Sequence, residues 1–319
     1  MSNRKLAVIM DPIESIKPHK DSSLAMLLEA QARSWKIHYG QVQDVWLRDG
    51  EAFGRLTALE VADDPQNWFD LHDVAVTPLS EMDVILMRKD PPFDIEYIFA
   101  TYVLERAEDR GALVVNRPQG LRDANEKAFV AWFPHCAPPT LISRSLEEMR
   151  AFLGEHQKVV VKPLHLMGGQ LVFVTDADDD NANVILETVT NDGTRFAMVQ
   201  KYLPEITESG DKRIILIAGE PVPVALARIP QPGDHRGNMV VGARTEISTL
   251  TDRDMWICEQ IGPTLRDKGL IFAGIDVIGD FLTEINVTSP TGIRELERES
   301  DLRVAAGLLD AITSKCHLT

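Results

Sequence analysis

The chain has 319 residues, enough for two or three domains, and 44% apolar and 26% charged residues, ordinary for a soluble globular protein. Its net charge of -16 argues against a general nucleic-acid binder, which needs a basic surface, and requires any anion site to gather its cations locally. Cys136, Cys258 and Cys316 form neither a CxxC nor a metal spacing, so free thiols in a reducing compartment are expected.

Leu6 to Met10 predicts a buried strand, stopped by Asp11-Pro12. This run is too short for a signal peptide's core, and no stretch approaches the roughly 18 apolar residues of a membrane span, so a cytoplasmic protein is expected. A helix follows from Leu24 to Ser34, with Asp21 or Ser22 as its cap, then a strand at Ile37 to Tyr39. This strand–helix–strand opening indicates an α/β domain; it carries no GxGxxG. Asp83 to Met87 is a further strand, ending at Arg88 and Lys89, two cations placed where open α/β sheets gather ligands. The alternative is a solvated loop. A helix from Glu96 to Arg110 stops at Gly111, a strand spans Leu113 to Val115, and a domain boundary falls near residue 122.

Asn125-Glu126-Lys127 starts a helical stretch, and Lys158 to Lys162 forms a buried strand that delivers Lys162. Gly168-Gly169 lies between strand-like runs, where a tip could close over phosphates with its backbone amides; most glycine pairs are simply turns. Strands follow at Phe196 to Leu203, Asp211 to Ile217 and Val222 to Ile229, the last carrying Arg228. The Pro- and Gly-rich segment 230–238, with His235 and Arg236, has the length and composition of a lid. Asp254 to Leu265 is helical, and the tail from Ile293 to Lys315 predicts an amphipathic helix region with a solvated face.

The stretch Gly274 to Pro290 reads as two strands joined at Gly279-Asp280. Glu284 and Asn286 are two apart and share a face. A two-residue loop pairs Asp276 with Thr283; a three-residue loop pairs it with Glu284, and two facing carboxylates repel unless a cation separates them. Two acids and an amide oxygen are hard ligands that suit magnesium. The alternative is an exposed hairpin with ordinary polar residues. With two lysines, Arg213, Arg228, a glycine turn and a lid, the second half suits phosphoryl chemistry.

MRKDPPFD (87–94), NEK (125–127), VVVKP (159–163), GDKR (210–213), LARIPQ (226–231), RGN (236–238) and LTEINVTSP (282–290) together resemble the bacterial glutathione synthetases, a family of ATP-grasp ligases. The resemblance covers essentially the full length in motif order. It implies an N-terminal α/β substrate domain (1–122), then an ATP-grasp fold of two α+β subdomains (123–203 and 204–319) gripping ATP. The implied reaction joins γ-glutamylcysteine to glycine through an acyl phosphate.

By the same resemblance, Lys127 and Lys162 would contact the ATP phosphates, and Gly168, Gly169 and Asp211 would also bind the nucleotide. Gln200, Tyr202 and Leu203 would line the adenine pocket. Arg213 and Arg228 would stabilise the transferring phosphoryl group. Asp276, Glu284 and Asn286 would hold magnesium, or manganese in its place. Arg88, Arg236 and Ser289 would bind the peptide substrate, and residues 229–244 would form the lid. A homotetramer is implied, with no nucleic-acid or membrane partner. The chain departs from the family at His165-Leu166, where a loop closer to DGMGG is common, and at Lys201, often a neutral polar residue. Another ATP-grasp peptide ligase with a different acceptor is the nearest alternative. A non-catalytic nucleotide-binding protein on the same fold is the alternative from another class.

Overall fold

A computed structural model describes residues 4–230 and 244–316. The lid segment's interior, including His235 and Arg236, lies outside the described residues.

Strand β1 (Lys5–Met10) is an apolar run buried along nearly its whole length. Helix α1 (Ser22–Ala32) begins where Asp21 Oδ1 accepts the Leu24 N–H at 2.7 Å, so Asp21 is the cap. Strand β2 (Lys36–Gly40) lies parallel to β1. Strands β3 (Val45–Arg48), β4 (Glu51–Val61) and β5 (Phe69–Pro78) then extend this edge as an antiparallel meander that the sequence had not announced. The reason is in β5, whose Leu71, Val74 and Val76 are exposed instead of marking a buried face. Strand β6 (Val84–Arg88), helix α2 (Ile95–Glu108), strand β7 (Leu113–Val115) and helix α3 (Pro118–Asp123) complete the layer.

The strand order is β3-β4-β2-β1-β6-β7, with β2, β1, β6 and β7 mutually parallel. From β1 the chain goes to β2 on one side and later to β6 on the other. The winding therefore reverses at β1, and a crevice opens beyond the carboxyl ends of β1 and β6. Asp11 and Arg88 to Asp90 stand there.

The second sheet comprises β8 (Thr140–Ser143), β9 (Lys158–Pro163), β10 (Phe173–Asp176) and β11 (Ala197–Lys201), with helices α4 (Leu146–His156) and α5 (Ala182–Thr190) between them in the chain. Its period of two is clean: Val159 and Val161 join Met149, Leu153, Leu186 and Val189 in a separate core, while Val160 and Lys162 face a cleft. The expected helix after Asn125 is a single short turn at Ala128–Trp132.

After helix α6 (Glu205–Glu208), the third sheet contains β12 (Asp211–Ile217), β13 (Glu220–Pro221), β14 (Val224–Ile229) and β15 (Arg244–Thr249), then, after helix α7 (Asp252–Asp267), β16 (Phe272–Ile278) and β17 (Phe281–Asn286). It is antiparallel in the order β15-β14-β12-β16-β17, with β13 beside β12. The tail is two helices, α8 (Ile293–Glu299) and α9 (Val304–Cys316). The expected amphipathic region is present: Val304, Leu308, Leu309 and Ile312 form a buried stripe in the core that also contains Leu27 of α1, while Arg303, Asp310 and Ser314 face solvent.

The first and third sheets share two apolar cores, one holding Ile9 and Ile85 with Ile214 and Ile275, the other Leu6 and Leu27 with Ile215 and Leu308. Buried Asn116 fastens them further: Nδ2 donates to Phe272 O at 2.6 Å and Val287 O at 2.7 Å, and Oδ1 accepts from Phe272 N at 2.9 Å.

Candidate active site

The third sheet carries a row of charges on one face. Register pairs Asp211 with Arg228, Arg213 with Asp276, and Asp276 with Glu284. The hairpin resolves the two alternatives in the sequence jointly. Its loop is the two-residue Gly279-Asp280, since Ile278 pairs with Phe281. A bulge then leaves Thr283 unpaired and brings Asp276 opposite Glu284. Gly274 clears the path for Arg213: a Cβ there would lie 2.9 Å from Arg213 Cδ.

Most of the row is paired. Arg213 Nε and Nη2 donate to Asp276 Oδ1 and Oδ2 at 2.6 and 3.0 Å. Arg228 Nε and Nη2 donate to Asp211 Oδ1 and Oδ2, both at 2.7 Å, and Arg228 Nη2 lies 2.9 Å from Asp276 Oδ1. Burial opposes the Asp276 charge, but Arg213 and Arg228 outweigh it and hold the carboxyl well below the usual range. Burial likewise opposes the charge on Arg228, and Asp211 and Asp276 hold it firmly protonated. The exception is Asp276 against Glu284, a like-charge pair across the ladder.

Glu284 meets cations from elsewhere: Lys162 Nζ lies 3.8 Å away and Lys127 Nζ 4.0 Å. Lys162 comes from the second sheet, buried, donating to Gln200 Oε1 at 3.2 Å. Burial pulls its pKa down, Lys127 adds to that, and Glu284 only partly offsets it. Lys127 Nζ donates to Leu166 O at 2.6 Å. Gly168 and Gly169 have φ of 69° and 75°, and their N–H groups make no hydrogen bond among the described residues.

These groups face two cavities. The first is a cleft of ≈ 870 Å³, counted to its open mouth, between the second and third sheets. Lys162, Gln200, Tyr202, Leu203 and Asp211 line it, together with Gly168 and Gly169. The Tyr202 N–H is already given to Lys158 O at 3.0 Å, so this position faces the cleft without that donor. The second cavity, ≈ 1200 Å³ by the same measure, lies at the crevice of the first sheet. Arg213, Asn286 and Ser289 line it, as do Lys17, Lys20 and Asp21. The two share one wall: Lys127, Gly168, Arg228, Asp276 and Glu284.

Arg88 is buried and is not among the residues that line either cavity. β6 delivers it into the interior, where Nε donates to Ser23 Oγ at 2.9 Å and Nη2 to Pro290 O at 3.1 Å. Glu126 belongs to the NEK motif, and the sequence assigns it no role. Its Oε1 accepts from Val287 N and Thr288 N, both at 2.9 Å, and from Thr288 Oγ1 at 2.7 Å, which fixes the strand end after Asn286. The Ser289 hydroxyl donates to Asp90. Among the described residues no three His, Cys, Asp or Glu side chains converge as a metal set. Asp276 and Glu284 with the amide of Asn286 are a two-acid set. Asn286 Nδ2 donates to Gly274 O and Asp276 Oδ2 at 3.1 and 3.2 Å, leaving Oδ1 as an acceptor, so the donor chemistry fits a hard divalent cation.

A cleft gripped between two antiparallel sheets, with lysines on one and paired acids and arginines on the other, defines an ATP-grasp ligase. D-Cycloserine synthetase superposes with a TM-score of 0.71 at 12% identity, covering 98% of this chain and 99% of that one. The D-alanyl-alanine synthetase A of Vibrio cholerae does so at 0.63 and 11%, with full coverage of both. The prokaryotic glutathione synthetase N-terminal domain matches residues 5–122 and the ATP-grasp domain of the same family residues 126–301. The glutathione synthetases of Pseudomonas putida and Coxiella burnetii are 54% and 51% identical, over 98% of this chain and 98% and 97% of theirs. The chain belongs to the prokaryotic glutathione synthetase family. No helix among the described residues is long and apolar enough to cross a membrane.

Proposed function

We propose that this chain is an ATP-dependent ligase that joins γ-glutamylcysteine to glycine, giving glutathione, ADP and phosphate. The observation that carries the reading is the shared wall. A nucleotide in the first cleft and a peptide in the second meet only at Lys127, Gly168, Arg228, Asp276 and Glu284. In this reading residues 1–122 serve the substrates, and 123–203 and 204–319 grip ATP.

Lys127, Lys162 and the free amides of Gly168 and Gly169 hold the phosphates. The adenine lies against Gln200, Tyr202 and Leu203. Asp276, Glu284 and Asn286 would hold magnesium or manganese, which supplies charge neutralisation to the phosphates. Arg213 and Arg228 exchange their carboxylate partners for oxygens of the moving phosphoryl group. A carboxylate oxygen of the cysteinyl residue attacks the terminal phosphorus, and the bond to the ADP oxygen breaks. The amine of glycine then attacks the acyl carbon, phosphate departs, and nitrogen loses a proton. Arg236 and Ser289 contact the peptide, and residues 229–244 close over the water-sensitive acyl phosphate. Arg88, held by Ser23 and Pro290, would bind a carboxylate of γ-glutamylcysteine. The family resemblance supports a cytoplasmic homotetramer.

The test is phosphate release from ATP and a divalent metal with γ-glutamylcysteine, with and without glycine. Release that requires both, with glutathione formed, is expected. Release indifferent to glycine would leave the acyl phosphate and remove the acceptor. No release, in protein that binds ATP, would remove the enzyme.

A further inference from the structure

Asn286 is the last residue of β17, and β17 is the last strand on its side of the sheet among the described residues. The amide proposed for the metal therefore stands where a ladder opens most easily, at the end of an edge strand. On the inner side it pairs with Gly274 of β16. On the outer side a single residue holds both of its neighbours. The main-chain oxygen of Glu126 accepts from Ile285 N at 2.9 Å. Its side-chain Oε1 accepts from Val287 N and Thr288 N, both at 2.9 Å, and from Thr288 Oγ1 at 2.7 Å. The side chain takes over as edge acceptor where β17 ends.

Glu126 is itself fixed by the residues beside it. Asn125 Oδ1 accepts from Lys127 N at 3.2 Å and from Ala128 N at 2.9 Å, closing a turn around Glu126. Asn125 Nδ2 donates to Leu164 O at 2.9 Å, and Lys127 Nζ to Leu166 O at 2.6 Å. Three consecutive side chains thus tie two sides of the first cleft together. Glu126 holds the hairpin of the metal set, while Asn125 and Lys127 hold the segment that leads to Gly168.

Glu126 also lines the second cavity, so a charge offered to substrate is the competing use of its carboxylate. The contacts favour the other use. Three donors converge on one oxygen, and all three belong to the two residues that follow Asn286. We infer that Glu126 is a positioning residue. It holds the chain on either side of Asn286, and thereby keeps Asp276, Glu284 and Asn286 together as a metal set beside Lys127. This assignment rests on the metal set proposed above. It requires reach and an acceptor oxygen at position 126, and it does not require charge.

Two conservative variants separate these uses. Glu126→Gln keeps the length and an acceptor oxygen but loses the charge. Glu126→Asp keeps the charge but loses one methylene of reach. The readout is Mn²⁺ uptake by protein with ADP, against ADP alone, followed by the electron paramagnetic resonance of free Mn²⁺; it needs no turnover. Residues that support metal ligands typically change metal affinity ~10- to 100-fold, so Glu126→Asp should weaken Mn²⁺ binding by that order. Glu126→Gln should stay close to the unaltered protein. ADP affinity measured calorimetrically without metal should match in all three. The reverse order, with Gln weak and Asp near normal, overturns the assignment and gives the role to the charge. So does a Glu126→Asp protein that loses metal-free ADP binding as much as Mn²⁺ binding, since that is general loosening. If Glu126→Asp does not fold, Thr288→Val decides, because it deletes one of the three donors. Weaker Mn²⁺ binding with unchanged metal-free ADP binding is expected there, and unchanged Mn²⁺ binding overturns the assignment. Unaltered protein that takes up no Mn²⁺ with ADP overturns the metal set beneath it.

Discussion

The two sides of the ATP cleft hold their charges in opposite ways. On the third sheet, Asp211, Arg213, Arg228 and Asp276 neutralise one another across adjacent strands at hydrogen-bonding distance. On the other side, Lys162 arrives from a sheet with its own core, and its nearest acid is 3.8 Å away on β17. The first set is preorganised by one ladder. The second is assembled between separate bodies and left under-compensated. A paired row resists change but must give up its partners to act, while an under-compensated lysine costs stability until an anion arrives.

The largest effect should come from Glu284→Gln, which breaks activity without touching the paired row. Its side chain is 23% exposed and completes the proposed metal set. Phosphate release should fall beyond the ~10³-fold typical of one lost charge-stabilising donor, while the protein stays folded. Near-normal turnover would separate Glu284 from the chemistry. Arg228→Ala should do the reverse on stability. Turnover should drop about 10³-fold, and because Asp211 and Asp276 lose a buried partner, denaturant melts should show a loss of ~3–5 kcal/mol. A change under tenfold in turnover would make Arg228 purely structural.

The legibility of these two sides differed for the same reason. Asp276, Glu284 and Asn286 lie within eleven residues, so strand periodicity brings them near one another in any hairpin. What spacing could not reveal was the bulge at Thr283, because a bulge is a local backbone event with no residue signature here. Lys162 was visible as the end of an apolar strand, but its meeting with Glu284 depends on how two sheets face each other. Arg88 was visible at a ligand-gathering strand end, but its anchoring to Ser23 and Pro290 joins positions far apart in the chain. Asp21 was legible as a helix cap, and that local role concealed its position on the cavity rim.

Lys162→Met sharpens the contrast from the other side. One charged contact to phosphate is worth ~1.5–3 kcal/mol, so ADP affinity measured calorimetrically should weaken roughly 10- to 150-fold. Stability should hold or rise, since the variant removes a buried ammonium that Glu284 only partly offsets. A clear loss of stability would mean that Lys162 is held as securely as Arg228.

The smallest effect is in pH, and here the two sides should move apart. Burial places the folded-state pKa of Lys162 below its ordinary value. As pH rises through that lowered value, the folded protein releases the proton while the unfolded chain still holds it. The unfolded state then binds more protons, so this group's contribution to stability rises with pH across the window between the two values. Nucleotide affinity must fall over the same window, because the neutral amine no longer attracts phosphate. Asp276 behaves oppositely. Its carboxyl is held below the ordinary range, so its contribution is fully present above the unfolded value and is lost only as pH falls through the lowered one. On the alkaline side, then, ADP affinity and stability should diverge in the unaltered protein, and Lys162→Met should flatten both trends. Affinity that falls in parallel with stability, or that keeps its slope in the variant, would assign the alkaline limb to a different group.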